Sequence, residues 1–491
     1  CDLNGDGLTD LAVGAPSEED DEIWPPVKNM GAIFVYFGSK NGLLETPSQS
    51  IYGYVPNGPG EWAYPHWLGG GMGTRLAPAD FNGDGVCDLA ASNFEVNPPN
   101  GGPTLNDGMV TVYLGNKGTE DDPGGLSPKP HRYWLAQDTE GMYNSRFGHQ
   151  MTVGDLDGDG LDDLAVSQSQ GGYIRIFTGA SMAGEASTKV EKAASADLTI
   201  PIPESDSPRA IVDLRIGHVT DDAWADLIVG YTSAAGTNGA IQLYAGQENA
   251  LPKPDPTLTL PSAIPGERLG STLTILTDND GDGVPDFLVY AYKNDEVGVD
   301  VGLPYFVSGS ALLEPPQAED EAADDPFVAL EYPVKAATGN VGRSDSVALL
   351  GDINGDGLED LAVGAATAAS GYSANSGNVF LYSASADQED AWDAPLELAG
   401  HIGHYVKYNI SIGHVVASLG DFDGDGAADM ASTRSIGGND DPASLANKAT
   451  DGALALYHAG LDWTQKLVFE DACDDKWADT MDPTPWGDFS W

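Results

Sequence analysis

The sequence predicts an all-β fold assembled from repeated four-stranded antiparallel sheets, and three observations predict it. A nine-residue acidic pattern, Asp-x-Asp/Asn-x-Asp-Gly-x-x-Asp, occurs intact six times. The copies are followed by short apolar runs, and these by alternating runs that end in an aromatic residue. The first positions fall at residues 2, 80, 155, 218, 278, 352 and 421, the one at 218 being a broken copy, so the period is 60 to 78 residues. Periods of about 40–50 residues already hold four strands, so each unit here carries long loops as well.

The opening strand of a unit starts at a Gly seven to ten residues before the acidic pattern, as in the runs Phe147-Gly148-His149-Gln150-Met151-Thr152-Val153 and Ile412-Gly413-His414-Val415-Val416. His149 and His414 hold equivalent places in these runs, and repetition assigns them to packing.

The acidic pattern comes next. Calcium is a hard cation taking six to eight oxygen ligands, which a short loop supplies when alternate side chains converge and glycines let the backbone turn. The predicted ligand sets are Asp2, Asn4, Asp6, Leu8 and Asp10; Asp80, Asn82, Asp84, Val86 and Asp88; and Asp155, Asp157, Asp159, Leu161 and Asp163. They continue as Asp278, Asp280, Asp282, Val284 and Asp286; Asp352, Asn354, Asp356, Leu358 and Asp360; and Asp421, Asp423, Asp425, Ala427 and Asp429. The apolar member of each set contributes its carbonyl. About six structural calcium ions follow. Magnesium fits less well, because it keeps its waters and rarely uses an all-protein cage. An EF-hand needs Glu at the twelfth position and helices on both sides, whereas the twelfth positions here are Val13, Ala91, Val166 and Val289. A metal-free acidic turn would explain a single copy; six copies in one register favour ligation. The broken copy keeps His218, Thr220, Asp222 and Asp226 but lacks two of the carboxylates, which predicts a folded turn without metal.

The second strand follows the loop as a buried apolar run, for example Leu11-Ala12-Val13 or Leu361-Ala362-Val363. Third strands alternate and end in Tyr36-Phe37, Tyr113, Tyr244, Tyr382 and Tyr457. Fourth strands are weaker and lie at the sheet edge, as at Leu198-Thr199-Ile200, Thr257-Leu258-Thr259-Leu260 and Lys466-Leu467-Val468-Phe469. Seven such sheets set radially make a seven-bladed β-propeller, with calcium loops between first and second strands. An open stack of sheets is the alternative.

The Phe-Gly opening, the calcium loop and the Val13-Gly14-Ala15-Pro16 tail of the first copy resemble the FG-GAP repeat of integrin α-subunit propellers. The resemblance runs from Asp2 to about Phe469 and implies a propeller over residues 1–471, followed by an acidic, Trp-containing tail at 472–491. In that family the loop joins the first two strands of a blade, so a chain starting on the loop implies a first blade lacking its innermost strand. There is no von Willebrand-type insertion, and an integrin-like metal-dependent adhesion site is not carried over.

With 22 basic and 76 acidic side chains the net charge is −54, which disfavours nucleic acid and anionic membranes as partners. No apolar run approaches the roughly 20 residues of a membrane span. Calcium sites of modest affinity fill outside cells or in the periplasm, which places the protein in the extracellular space or at the cell surface. Three cysteines are too few for a disulfide framework. Cys1 suits either a lipidated N-terminus or, preferably, a disulfide with Cys473 that ties the chain ends together, leaving Cys87 free.

The sequence offers little for catalysis: there is no His-Glu-x-x-His pair, nucleophile elbow, phosphate loop or zinc-spaced cysteine pair, and nearly every carboxylate pair that could serve a glycosidase is claimed by a calcium loop. Recognition is the better reading. Trp24, Trp62, Trp67, Tyr143, Tyr372 and Tyr405 lie in long loops expected on the face opposite the metal, where aromatic rings suit protein hot spots or sugars. The sequence therefore predicts a calcium-stabilised adhesion or assembly scaffold that binds protein partners, self-assembly included. A glycan-binding lectin and a non-catalytic domain of a secreted polysaccharide-degrading enzyme are the alternatives.

Overall fold

The computed structural model describes residues 1–16, 31–39, 46–53, 55–58, 61–63, 71–93, 107–119, 122–136, 145–169, 172–187, 191–202, 210–220, 222–232, 239–261, 268–279, 282–291, 303–310, 327–329, 347–351, 359–365, 378–383, 396–399, 410–420, 429–436 and 452–457. Among these, seven sheets of three to five strands follow one another in chain order. The first contains Leu11–Ala15, Ala32–Tyr36 and Gln49–Tyr52. The second contains Arg75–Ala79, Asp88–Asn93, Met109–Tyr113 and Arg132–Leu135. The third contains Phe147–Gly154, Asp163–Gln168, Tyr173–Phe177 and Leu198–Pro201, and the fourth Ala210–Gly217, Asp226–Thr232, Gly239–Tyr244 and Leu258–Pro261. The fifth and sixth are also four-stranded, and the seventh holds Ile410–Gly420, Asp429–Ile436 and Gly452–Tyr457. Within each sheet, the strands just named pair antiparallel with their neighbours in sequence, so the fold is all-β and built from hairpins. No helix among the described residues is long and apolar enough to cross a membrane.

The chain divides into two compact units: Cys1–His218 with Asp222–Pro261, and Val219–Asp221 with Ser262–Trp491. In the first unit, successive sheets pack face to face. Leu3, Ile33, Val35, Ile51, Leu89 and Tyr113 fill the layer between the first two sheets. Phe81, Val110, Trp134, Phe147, Leu164 and Phe177 fill the next, where Trp134 stacks on Phe177 at 4.1 Å. Each large side chain so buried is worth about 1.5–3 kcal/mol. Because both faces are covered, Met109–Tyr113 and Gly239–Tyr244 are buried along their whole length and do not alternate between core and water. Their polar members are satisfied internally: the Thr111 hydroxyl donates to Ala91 O at 3.2 Å, and Gln242 Oε1 accepts from the Tyr244 hydroxyl at 3.0 Å.

The opening Gly has a local reason. Gly148 and Gly270 sit at φ +85° and +83°, where the opening strands slip register against their partners, so each occupies a bulge that other residues enter only with strain. The arginines two positions earlier, Arg146 and Arg268, share a left-handed conformation at φ +52° and +57°.

One departure from simple four-stranded sheets involves the third repeat. After the short helix Gly179–Met182 the chain lays Glu191–Lys192 parallel along Arg132–Leu135 of the second sheet, opposite Trp134 and Leu135. His131 Nε2 bonds Met182 O at 3.0 Å and Gly184 O at 2.9 Å, Arg132 donates to Ser181 O at 2.8 Å, and Arg132 lies 3.6 Å from the Glu191 carboxylate. The third repeat thus straps the outer strand of the second sheet.

Candidate functional site

The acidic pattern forms the turn between first and second strands in the second and third sheets, and precedes the first strand described in the first sheet. Numbered from the first Asp, the described loops share one hydrogen-bond frame. The carboxylate at position one accepts from the amides at positions five and six: Asp6 and Gly7 for Asp2 (3.1 and 2.7 Å), Asp84 and Gly85 for Asp80 (3.2 and 2.9 Å), Asp159 and Gly160 for Asp155 (3.1 and 2.9 Å). Asp278 accepts likewise from Asp282 and Gly283 at 3.0 and 2.9 Å. Position three accepts from position five through Asn4, Asn82 and Asp157, and position five accepts from position seven through Asp6, Asp84, Asp159 and Asp282. The glycines at positions four and six have positive φ, +73° and +87° at Gly158 and Gly160, which bends the backbone around the carboxylates.

These bonds aim the side-chain oxygens inward. Oxygen atoms of Asp155, Asp157 and Asp159 lie within 4.8 Å of one another. Oxygens sharing one calcium ion at 2.3–2.6 Å lie no more than about 5 Å apart, so the spacing and the all-oxygen donor set fit that ion. Burial, reinforced by Asp159, raises the pKa of Asp157. At Asp282, hydrogen bonds from Ser310, the Val284 amide and Ser308 outweigh burial and lower it.

Position nine does something the sequence did not announce. Asp10, Asp88, Asp163 and Asp286 are buried, and one oxygen of each accepts the amide of position two: Leu3 at 2.8 Å, Phe81 at 3.1 Å, Leu156 at 2.9 Å and Asn279 at 2.7 Å. The other oxygen accepts the amide of a glycine just past the third strand: Gly38, Gly115, Gly179 and Gly309, at 2.8 to 3.0 Å. In the broken copy Asp226 holds Gly246 in the same way at 2.9 Å. The ninth carboxylate is therefore a clamp that ties the loop to the end of the third strand, whatever else it binds. Burial pushes Asp88 and Asp163 up to about 7, against the pull of the Gly115 and Gly179 amides. The missed signal was present: a Gly lies two residues after Tyr36, Tyr113, Phe177, Tyr244 and Val307.

Neighbouring loops also touch. The side chain at position seven lies over the position-four Gly of the preceding loop, Val86 at Gly5, Leu161 at Gly83 and Trp224 at Gly158. Position eight reaches the start of the preceding loop: Asp162 accepts from the Asp80 amide at 3.2 Å, and Glu359 from the Thr277 amide at 2.9 Å. Between the first two loops the same contact is covalent. Cys87, at position eight, forms a disulfide with Cys1, with Cα atoms 6.0 Å apart, and the Cys87 amide donates to Asp2 O at 2.9 Å. This corrects the expected Cys1–Cys473 bond and the free Cys87. Spacing along the sequence could not reveal that adjacent repeats bring positions zero and eight together; Cys473 lies outside the described residues.

Asp280, Asp352, Asn354, Asp356, Leu358, Asp421, Asp423, Asp425 and Ala427 lie outside the described residues, while Asp360 and Asp429 open the second strands of their sheets. Leu8, Val86, Leu161 and Val284 occupy position seven of described loops. Trp24, Trp67, Tyr143, Tyr372 and Tyr405 also fall outside, and Trp62 is described only by its backbone in Glu61–Ala63.

A family model described as the FG-GAP repeat matches residues 1–24, 147–187 and 345–382. Over 172 residues the chain is 32% identical to phosphatidylinositol-glycan-specific phospholipase D of Mus musculus, a match covering 34% of this chain and 17% of that protein. Integrin alpha-PS5 of Drosophila melanogaster is 31% identical over 169 residues, covering 34% of this chain and 14% of the relative. Integrin alpha-IIb of Mus musculus is 29% identical over 179 residues, covering 36% and 15%. These matches span about a sixth of the relatives' own lengths. The solved Dos1 propeller aligns over 89% of this chain and 91% of its own at 10% identity, with a TM-score of 0.40. The chain carries FG-GAP repeats and is similar, over about a third of its length, to integrin α subunits and to that phospholipase.

Proposed function

We propose that these FG-GAP repeats form a seven-bladed propeller, held by calcium in six acidic loops, that acts outside the cell as an adhesion or assembly scaffold for protein partners. The observation that carries the metal reading is the single frame shared by the described loops, with carboxylate oxygens converging to within 4.8 Å in the third. Asp, Asn and one backbone carbonyl per loop would coordinate the ion, which would offset the repulsion among the carboxylates. Similarity to integrin α subunits favours protein recognition. A disulfide between two loops suits an oxidising compartment. The decisive experiment is a pull-down from the native extracellular fraction with and without chelator, alongside metal analysis of the purified chain. Calcium at several equivalents and a partner lost on chelation are expected; a protein without bound calcium whose melting ignores chelator would overturn the reading.

Similarity to a phospholipase D favours a second reading, in which the propeller is an accessory domain that brings an enzyme to its substrate. Capture of a lipid or glycan surface in place of a protein would select it.

A further inference from the structure

We infer that the Cys1–Cys87 disulfide is a redox lock on calcium binding by the first two loops. The inference rests on the calcium reading above. Each cysteine adjoins a predicted ligand, Cys1 beside Asp2 and Cys87 beside Asp88, so one covalent bond fixes the start of one loop against the end of the next. The surrounding backbone is braced by Cys87 N to Asp2 O at 2.9 Å, Gly118 N to Asn4 O at 2.8 Å and Asp10 N to Cys1 O at 2.9 Å. At the other position-eight contacts among the described residues, a carboxylate, Asp162 or Glu359, accepts a backbone amide of the preceding repeat, a bond that redox chemistry does not touch. The first pair of loops is thus singled out.

A dithiol supplies both electrons for opening the bond: one thiolate forms a mixed disulfide with one of the two cysteines, and the other leaves and takes up a proton. The second thiolate of the reagent then displaces the bound cysteine, also protonated, closing a cyclic disulfide; two electrons pass to the protein. Each loop keeps its own hydrogen-bond frame, but the covalent link that fixes the start of one against the end of the next is lost, and calcium must supply that order as it binds.

The test is calcium titration by calorimetry on the full chain, oxidised and dithiol-treated. Reduction is expected to weaken the first two sites about tenfold, within the range typical of coupled sites, and to leave the others unchanged. Asp6→Ala and Asp84→Ala should remove the redox-sensitive part of the isotherm. Cys1→Ser should bind like the reduced protein and ignore dithiol. Reciprocity requires calcium to make the disulfide harder to reduce, by about 30 mV for each tenfold. Identical isotherms for oxidised and reduced protein would overturn the lock and leave the calcium reading standing. An oxidised protein that binds no calcium would overturn both.

Discussion

The aspartates of one loop divide into two kinds. Asp155 accepts amides that water can also serve, whereas Asp163 is buried and holds the Leu156 and Gly179 amides at 2.9 Å each. Asp163→Ala strands two buried donors and is expected to cost about 2–5 kcal/mol, with or without calcium. Asp155→Ala should stay within about 1 kcal/mol of the parent in chelator and destabilise only when calcium is present. Asp226→Ala, in the broken loop, should cost about 1–3 kcal/mol independently of calcium, through the Gly246 amide at 2.9 Å. Urea unfolding of the three variants in calcium and in chelator separates the roles. The sequence displayed these residues as one set because ligation and clamping both ask for a carboxylate at position nine. The broken copy tells them apart, having shed carboxylates at positions one and three while keeping Asp226.

In the hairpin, loop and third strand meet at a glycine. A Cβ on Gly115 would lie 2.2 Å from Cys87 O, and one on Gly38 2.2 Å from Thr9 O, so the backbones approach too closely for any side chain. Gly115→Ala is expected to cost about 2–4 kcal/mol, by overpacking and loss of the bond to Asp88. Gly160→Ala meets nothing within 4 Å and should cost only about 1–2 kcal/mol, for its left-handed backbone at φ +87°. Thermal melts of the two variants test the ranking. Strand positions were legible because apolar runs and turn glycines are local signals: the expected third strands ending in Tyr113, Tyr244, Tyr382 and Tyr457 all appear. The parallel pairing of Glu191–Lys192 was not, because it joins a loop of one repeat to the sheet of another and leaves no periodic trace.

For the whole chain, charge and covalent closure govern stability. With a net charge of −54, ion-free loops repel one another and the rest of the surface. The melting temperature of chelated protein is therefore expected to rise between 10 and 500 mM sodium chloride (roughly, from a Debye length of about 30 Å to one below 10 Å), while the calcium-loaded protein shifts less. Reduction should lower the unfolding free energy by about 4–5 kcal/mol, the loop-closure value for a bond spanning 86 residues, read from urea titrations in chelator. Repeats were readable at this scale, but contacts between repeats were not: Cys1 with Cys87 and Asp162 with Asp80 depend on how sheets stack, which no spacing encodes.

The strap across the second sheet bears on how this molecule behaves in a crowd. An outermost strand ordinarily offers a bare ladder of amides and carbonyls on which a neighbouring molecule can polymerise. Along Trp134 and Leu135 that ladder is already taken by Glu191 and Lys192, whose charges are poor seeds for further growth. At Trp134 and Leu135 the second sheet therefore leaves no bare rung for another copy of the chain to join.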